Sequence, residues 1–476
     1  MSRFRGRAVI MICMLVEEGM MFGQKAPPVP DHPWDASSAK QPFKAPPRFF
    51  PAPVLDPAKI YTLPELVDVA ERNNPETRVA WENAKAKAAD LGIAQSTLYP
   101  TLAAAALAET HREDIFFGPS FMRQTVETFS PVFVLNYIIF DFGRRSQEIS
   151  ISRSDLLAAN FQFNDAHRRV IFQVMQAYYR LLDTMGQEDA AEANLKNAQT
   201  VQQAAEARLQ NGLATLPDVL EARSAAAQAD YDLQAAIGAT EIAHGDLATA
   251  LGISPTTQFR VESIQNIRMP ESIADTVETS INKALSQRPD LMQRVAELRA
   301  AGAEVKAVRR NYFPTLRIDG SAGLGRSYGE QIYLPGLYSP TRETWDAALS
   351  LTWTLFDGLA REKRLARAKA DQKQAAASVD SIRDQVENQV WSAYSTARTA
   401  LRQQKAAAAL LEAATESYNA ALESYNYGLR SQIDVVSAQR TLADARTADV
   451  NARTQLLTGL AALAYQTGDL LYAKRP

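Results

Sequence analysis

The sequence predicts a mainly α-helical, elongated fold built twice over, with two pairs of β-strands set among long coiled-coil hairpins. Three observations carry this. The stretch "YNYGLRSQIDVVSAQ" at 425–439 has a copy 216 residues upstream, "RLQNGLATLPDVLEARSA", in which Gly212 stands for Gly428 and Asp218 for Asp434. Proline is absent and glycine nearly so from about Arg144 to Gln210 and from Leu359 to Asn426. Apolar and small polar residues alternate with period two from Trp345 to Leu355 and from Leu316 to Leu324, the mark of a half-buried strand.

Each copy of the first stretch is a short break centred on glycine, which supplies the left-handed backbone a helix end needs. The Asp that follows sits where a new helix begins and suits its dipole. One such copy reads equally as an ordinary helix–helix turn. Two in register read as the tips of two long hairpins, because self-similarity at a long period means duplicated architecture.

The chain opens with Arg3, Arg5 and Arg7 and the apolar run "AVIMICMLV", so residues 1–26 read as a signal peptide. Cys13 follows Ile12, where lipoprotein processing wants a small residue. Residues 27–59 form a linker with Pro at 27, 28, 30, 33, 42, 46, 47, 51, 53 and 57, a density that favours extended, solvated backbone. A helix starts at "TLPELVDVAERNNPE", with Thr62 as cap and Glu65 at the third helical position. "TVETSINKALSQRPD" opens the second half in the same way. Pro75 then matches Pro289, Pro100 matches Pro314, Phe140-Asp141 matches Phe356-Asp357, and Gly252 matches Gly468. The repeats are therefore set at 60–267 and 268–471.

Between the Pro and the Phe-Asp of each repeat the period changes to two. In the second repeat Trp345, Leu349, Leu351 and Trp353 share one face, and Ser350 and Thr352 lie on the other. In the first, Thr101–Ala108 and Arg123–Tyr137 are the equivalents, with Pro131 interrupting the latter. Strands of about ten residues suffice to cross a bilayer when tilted. Four strands do not close a barrel, and lipid tolerates no open edges, so a membrane sheet of this kind requires several chains. The Phe-Asp corners lead into helices of some 67 residues, which at ~1.5 Å each is ~100 Å. Val379, Ile382, Val386, Val390, Ala393, Ala397 and Ala400 form a seam with steps of 3 and 4. Shorter helices at Asp218–Leu251 and Asp434–Thr467 return along them, and the helix before the strands, Glu65–Thr97 or Ser280–Arg310, completes the length end to end.

Several function classes are excluded. A net charge of -3 over 476 residues gives a nucleic-acid partner no electrostatic support. The single cysteine lies in the leader, leaving no disulfide or thiolate metal site, and His32, His111, His167 and His244 have no ligand spacing. No phosphate-binding or dinucleotide fingerprint occurs, so no cofactor is expected. Gly325-Arg-Ser327-Tyr-Gly329 fits a hydrolase elbow, but that motif needs a helix directly after Ser, and the two prolines that follow make it a hairpin loop. An enzyme is not expected. No apolar run after the leader reaches the roughly 18 residues of a transmembrane helix.

The doubled "P-x-L" at the strand starts, the corner at Tyr137–Arg145 and the tip "G-(x)5-D-V" in both halves resemble the outer-membrane efflux proteins of the TolC family, over about residues 60–470. The resemblance implies a homotrimer with a shared 12-stranded barrel in outer-membrane lipid and an α-helical tunnel across the periplasm. It implies an exit duct for efflux or type I secretion, with a periplasmic adaptor and an inner-membrane pump as partners. By position it places a periplasmic gate on Tyr425, Arg430 and Asp218, and an acidic ring on Asp434. The family's second acidic position falls on Ser437 here, with Glu221 in the equivalent place of the first half. Gly212, Leu213, Gly428 and Leu429 become the adaptor-docking tips. A non-channel coiled-coil spacer or surface adhesin would account for the helices and leave the doubled strands unexplained.

Overall fold

The computed structural model describes residues 55–117, 120–330, 337–338 and 341–471. The expected signal peptide, and the linker up to residue 54, lie outside them. In chain order the elements are β1 (Ile60–Tyr61), α1 (Leu63–Asn73), α2 (Pro75–Ser96), β2 (Thr101–Phe117), β3 (Ser120–Phe140), α3 (Arg144–Gln210) and α4 (Leu216–Ala250). Then follow β4 (Arg260–Val261), α5 (Val277–Gln287), α6 (Pro289–Arg310), β5 (Thr315–Glu330), β6 (Leu337–Tyr338), β7 (Thr341–Thr352), α7 (Ala360–Asn426) and α8 (Gln432–Thr467).

Helix α1 begins as the capping pattern dictates. The Thr62 amide donates to the Glu65 carboxylate at 2.9 Å. The expected single helices over Glu65–Thr97 and Ser280–Arg310 are each two. Proline crowds the backbone of the residue before it, so Asn74 (ψ 128°) and Arg288 (ψ 121°) are extended and the helices restart at Pro75 and Pro289. Both α3 and α7 are 67 residues long. Helix α3 packs along α2 and α4 of its own half and along α6 and α8 of the other, which makes it the spine of the shaft. In α7 the seam residues Val386, Val390, Ala397 and Ala400 are buried, and Val379, Ile382 and Ala393 half-buried.

At mid-shaft the connection after α4 lies against the helices. Phe259 and Ile264 join Leu66, Val174, Tyr178, Leu182, Leu247 and Leu457 in the largest core, beside the parallel pairing of β1 with β4. Burial there pushes the phenols of Tyr178 and Tyr179 up to about 12. A polar hub joins the halves next to it. Arg168, 1% exposed, donates to Asp165 at 2.6 Å and to the Tyr465 carbonyl at 3.2 Å, and lies 3.5 Å from Asp290. Arg288 grips Asp290 with two nitrogens, at 3.0 and 2.6 Å, and reaches Gln389 and Gln466 with a third.

The sheet is antiparallel in the order β2-β3-β5-β7, with β6 pairing the far end of β5. Direct partners share a face. Trp345, Ala322, Phe133 and Ala104 form one row, and Leu349, Ile318 and Tyr137 another, all on the apolar face. Asp346 with Ser321, and Ser350 with Arg317, lie on the opposite face, where the Ser321 hydroxyl bonds Asp346.

Four expectations about this sheet are corrected. Strands β2, β3 and β5 run past the alternating stretches, over 17, 21 and 16 residues, while β7, of 12 residues, starts earlier at Thr341 and stops at Thr352, short of Leu355. Pro131 does not interrupt β3: it pairs with Ala106, and the register with β5 carries no pair at 130 and 131. A proline lacks only the donor, and here the missing donor falls in a gap. Gly323 pairs with Val132 at the edge of that gap, where a Cβ would run into the Pro131 carbonyl. Ser327 is on β5 rather than in a loop. Trp353 lies one residue past β7, its indole N–H donating to the Tyr312 carbonyl at 3.0 Å.

Sheet and shaft meet at two equivalent corners. Asp141 accepts from the amides of Gly143 and Arg145, at 3.1 and 3.0 Å, and from the Arg145 guanidinium at 2.9 Å. Arg145 also donates to the Thr97 carbonyl at 2.8 Å. Both side chains are buried. Burial pushes the Asp141 carboxyl up, and the bonds from Arg145 and Gly143 outweigh it and hold it below its ordinary value. In the second half Asp357 accepts from the Arg361 amide at 3.1 Å and lies 3.2 Å from its guanidinium, which reaches the Leu355 carbonyl.

Candidate functional site

The far ends of the hairpins carry the residues singled out from the sequence. Helix α3 ends with Gly212 at φ +70° and α7 with Gly428 at φ +74°. The Leu213 amide donates to the Arg208 carbonyl at 2.8 Å, and Gly212 donates to Leu209 at 3.0 Å. At the other tip Leu429 donates to Ser424 at 2.8 Å, and Gly428 to Tyr425 at 3.0 Å. This double closure satisfies the last carbonyls and needs a left-handed residue, hence glycine. The next helix starts at once. The Thr215 amide and hydroxyl donate to Asp218 at 2.8 and 2.7 Å, and those of Ser431 to Asp434 at 3.0 and 2.8 Å. Asp218 and Asp434 are therefore the third residues of their helices, one half of a capping box. The Thr215 and Ser431 hydroxyls and amides hold both carboxyls below their ordinary value.

Because the turns satisfy their own backbone, their apolar side chains project outward. Leu213 and Leu429 are 68% and 78% exposed, and Leu216, Tyr427 and Ile433 are exposed beside them. Glu221 and Ser437 lie one turn further along α4 and α8, also exposed. Arg430 points into solvent.

Among the described residues no hydrogen bond or ion pair joins Asp218, Tyr425 and Arg430 within one chain. Tyr425 is instead buried at 4% exposure among Val201, Tyr418, Val435 and Leu442. Its partner is Arg208, which sequence reasoning passed over. Arg208 Nη1 donates to the Tyr425 carbonyl at 2.8 Å, and the guanidinium lies 4.5 Å from the ring centroid. Burial pushes the Tyr425 phenol up against the lowering pull of Arg208. The first hairpin thus holds the turn of the second, through a carbonyl that also accepts the Gly428 amide. Arg208 opens the quoted repeat "RLQNGLATLPD", but its counterpart is Ser424, so comparing the halves does not single it out.

At the other end of the shaft Trp345, Leu349 and Leu351 are 79%, 67% and 68% exposed, and Trp353 is exposed beyond the strand. Phe129, Phe133, Leu102 and Leu135 continue this surface on β2 and β3. No helix among the described residues is long and apolar enough to cross a membrane, which says nothing of the sheet.

A family model described as "Outer membrane efflux protein" matches residues 66–253 and again 280–469. The chain belongs to that family. Among its relatives, Protein CyaE of Bordetella pertussis is 28% identical over 88% of this chain and 86% of the relative. Outer membrane protein OprJ of Pseudomonas aeruginosa is 24% identical over 75% of this chain and 73% of its own. The solved outer-membrane channel OprN shares the fold, with a TM-score of 0.74 at 22% identity, over 88% of this chain and 94% of that one. This efflux protein is an outer-membrane channel protein, and the coiled-coil spacer or adhesin gains nothing from the match.

Proposed function

We propose that this efflux protein acts as a homotrimer in which three four-stranded sheets close one 12-stranded barrel and three helical shafts form a tunnel into the periplasm. It would be the passive exit duct of a tripartite efflux or type I secretion system, fed by a periplasmic adaptor and an inner-membrane pump. The observation that carries this reading is the open sheet. Among the described residues β2 pairs only with β3, and β7 only with β5, so both outer edges have unpaired backbone while one face is apolar and exposed. Such edges cannot stand in lipid, and three copies joined β7 to β2 remove all of them. Trp345, Leu349 and Leu351 then face lipid, with Trp353 at the interface.

Within this reading the gate consists of Asp218, Tyr425, Arg430 and Asp434 with Glu221 and Ser437 behind them, and Gly212, Leu213, Gly428 and Leu429 are where the adaptor docks. The two repeats, 60–267 and 268–471, follow a signal peptide at 1–26 and a linker at 27–59. Cysteines placed in β2 and β7 should cross-link neighbouring chains into a detergent-extracted trimer whose gel mobility changes on heating. Monomer alone under oxidising conditions would overturn the proposal.

A further inference from the structure

We propose that the cavity where sheet meets shaft is an anion site on the lumen side of the duct, suited to solutes that carry several phosphate or carboxylate groups. The inference rests on the trimeric duct reading for its place in the permeation path, and on this chain alone for its chemistry. A cavity of ≈ 620 Å³ opens between the ends of β5 and β7 and the starts of α3 and α7. Five arginines line it: Arg144, Arg310, Arg317, Arg361 and Arg364.

Their pairing decides what they are free to do. Arg361 is spent on Asp357 at 3.2 Å, and Arg144 lies 3.8 Å from Glu148. Arg310, Arg317 and Arg364 have no carboxylate within 4.0 Å among the described residues. Of the three acidic residues in the wall, Asp141 and Asp357 are held by the corner arginines, and Asp319 accepts from Ser350 at 3.4 Å. The first residues of α3 and α7, Arg144 and Ala360, also line it, so the positive ends of both helix dipoles add to the field.

The sheet's alternation fixes the side. Arg317, Asp319, Ser350 and Thr352 lie on the polar face, opposite Leu349 and Leu351. A lipid headgroup is therefore on the wrong side of the sheet to reach them. Arg310, Arg317 and Arg364 are exposed, so each alone binds a monovalent anion weakly in salt. A polyvalent anion that bridges several guanidiniums gains charge-assisted, bidentate contacts from each. Threefold repetition would set three such clusters around one ring, opposite in sign to the Asp434 carboxylates at the tips.

The test is block of single-channel current by inorganic tripolyphosphate added to the barrel side of a planar bilayer. Wild type should be blocked, and Arg310→Gln, Arg317→Gln and Arg364→Gln together should raise the half-blocking concentration by at least ~10-fold, the loss of one or two strong contacts. The corresponding triple lysine variant should stay within about threefold of wild type, since Lys keeps the charge. Equal block of wild type and the glutamine variant, or a conducting wild type that is not blocked, overturns the site. If the glutamine variant does not assemble, Arg364→Gln alone is read, with about threefold weaker block expected and no change counting against the site. If well-folded wild-type trimers do not conduct, the duct reading falls instead. Calorimetry of tripolyphosphate with that trimer then decides the site: binding lost in Arg364→Gln supports it, and no binding by wild type overturns it.

Discussion

Each 67-residue helix begins at a corner and ends at a tip, and the two ends solve the same problem differently. At the corner Asp141 takes the helix amides and a buried guanidinium as well, and that guanidinium ties down the carbonyls of Thr97 and Ile139. At the tip Asp218, half-buried, takes only the amide and hydroxyl of Thr215, three residues away. The corner is knitted into its surroundings, whereas each tip caps its own helix, and the second is tied to the first through Arg208. A self-capped end can leave one partner for another without loss of structure, and a knitted one cannot. The gate proposed above, opening at the tips while the sheet stays fixed, calls for this difference.

Removing the corner carboxylate should do the most damage. Asp141→Ala leaves a buried guanidinium unpaired and should cost about 3–5 kcal/mol, read as a lower temperature for heat dissociation of the extracted assembly. The equivalent Asp357→Ala, at a more exposed pair, should cost less, about 1–3 kcal/mol. Equal losses at corner and tip would erase the distinction between them.

Next in size is the tip glycine. Gly428→Val places a branched residue at φ +74°, which costs roughly 1–2 kcal/mol of local strain, while Gly428→Asn should be tolerated. Heat dissociation should stay near wild type in both, and efflux-dependent resistance should fail in the valine variant. A valine variant with full resistance would remove the tips as the docking point.

Acid should weaken the corner and the mid-shaft hub as well. Burial raises the Asp290 carboxyl, but Arg288 and Arg168 bring it below its ordinary value of about 3.9, and Asp141 is lowered likewise. For a depressed carboxyl the stabilisation is complete above the ordinary value and is lost as pH falls through the lowered one. The assembly should therefore keep its heat stability down to about pH 4 and lose it below, and Asp141→Asn should flatten that loss. A loss between pH 7 and 5 would point to other groups.

The smallest effects on stability should come from the gate. Arg208→Ala removes a cation–π contact of order 1 kcal/mol and the hold on the Tyr425 carbonyl, and should raise single-channel conductance with little change in heat stability. Asp218→Ala with Arg430→Ser should raise it too, and Asp434→Ala should weaken cation preference instead. If Arg208→Ala conducts like wild type while the Asp218/Arg430 pair does not, the closure lies between chains rather than within one.

Much of this was legible from the sequence, for reasons that can be named. The long helices were bounded by where proline and glycine stop and start, and the tips by their duplicated Gly and Asp. Strands β2 and β3 were read short because they run on through 109–117 and 120–122, where apolar alternation gives no signal. A strand that extends beyond the bilayer has no dry face to encode. The helix breaks at Asn74 and Arg288 were written in the following prolines, which served as landmarks but not as stops. Arg168, Arg208 and Asp290 were not legible at all. Arg168 and Asp290 have near neighbours in Asp165 and Arg288, but the links that join the halves, Arg168 to Tyr465 and Asp290, and Arg208 to Tyr425, reach more than a hundred residues along the chain, and no local spacing records them.

The length of α3 and α7 turns the corners into fulcrums. A rigid helix of this length, ~100 Å from fulcrum to tip, moves its end by ~2 Å for a tilt of about 1°. That displacement is enough to take the 2.8 Å bond from Arg208 to Tyr425 out of range. Very small adjustments at the membrane, such as repacking around the Asp141–Arg145 pair, are thus geared up to gate-sized movements at the opposite end. The same gearing works in reverse, so a partner that pushes a tip through several ångströms asks almost nothing of the sheet.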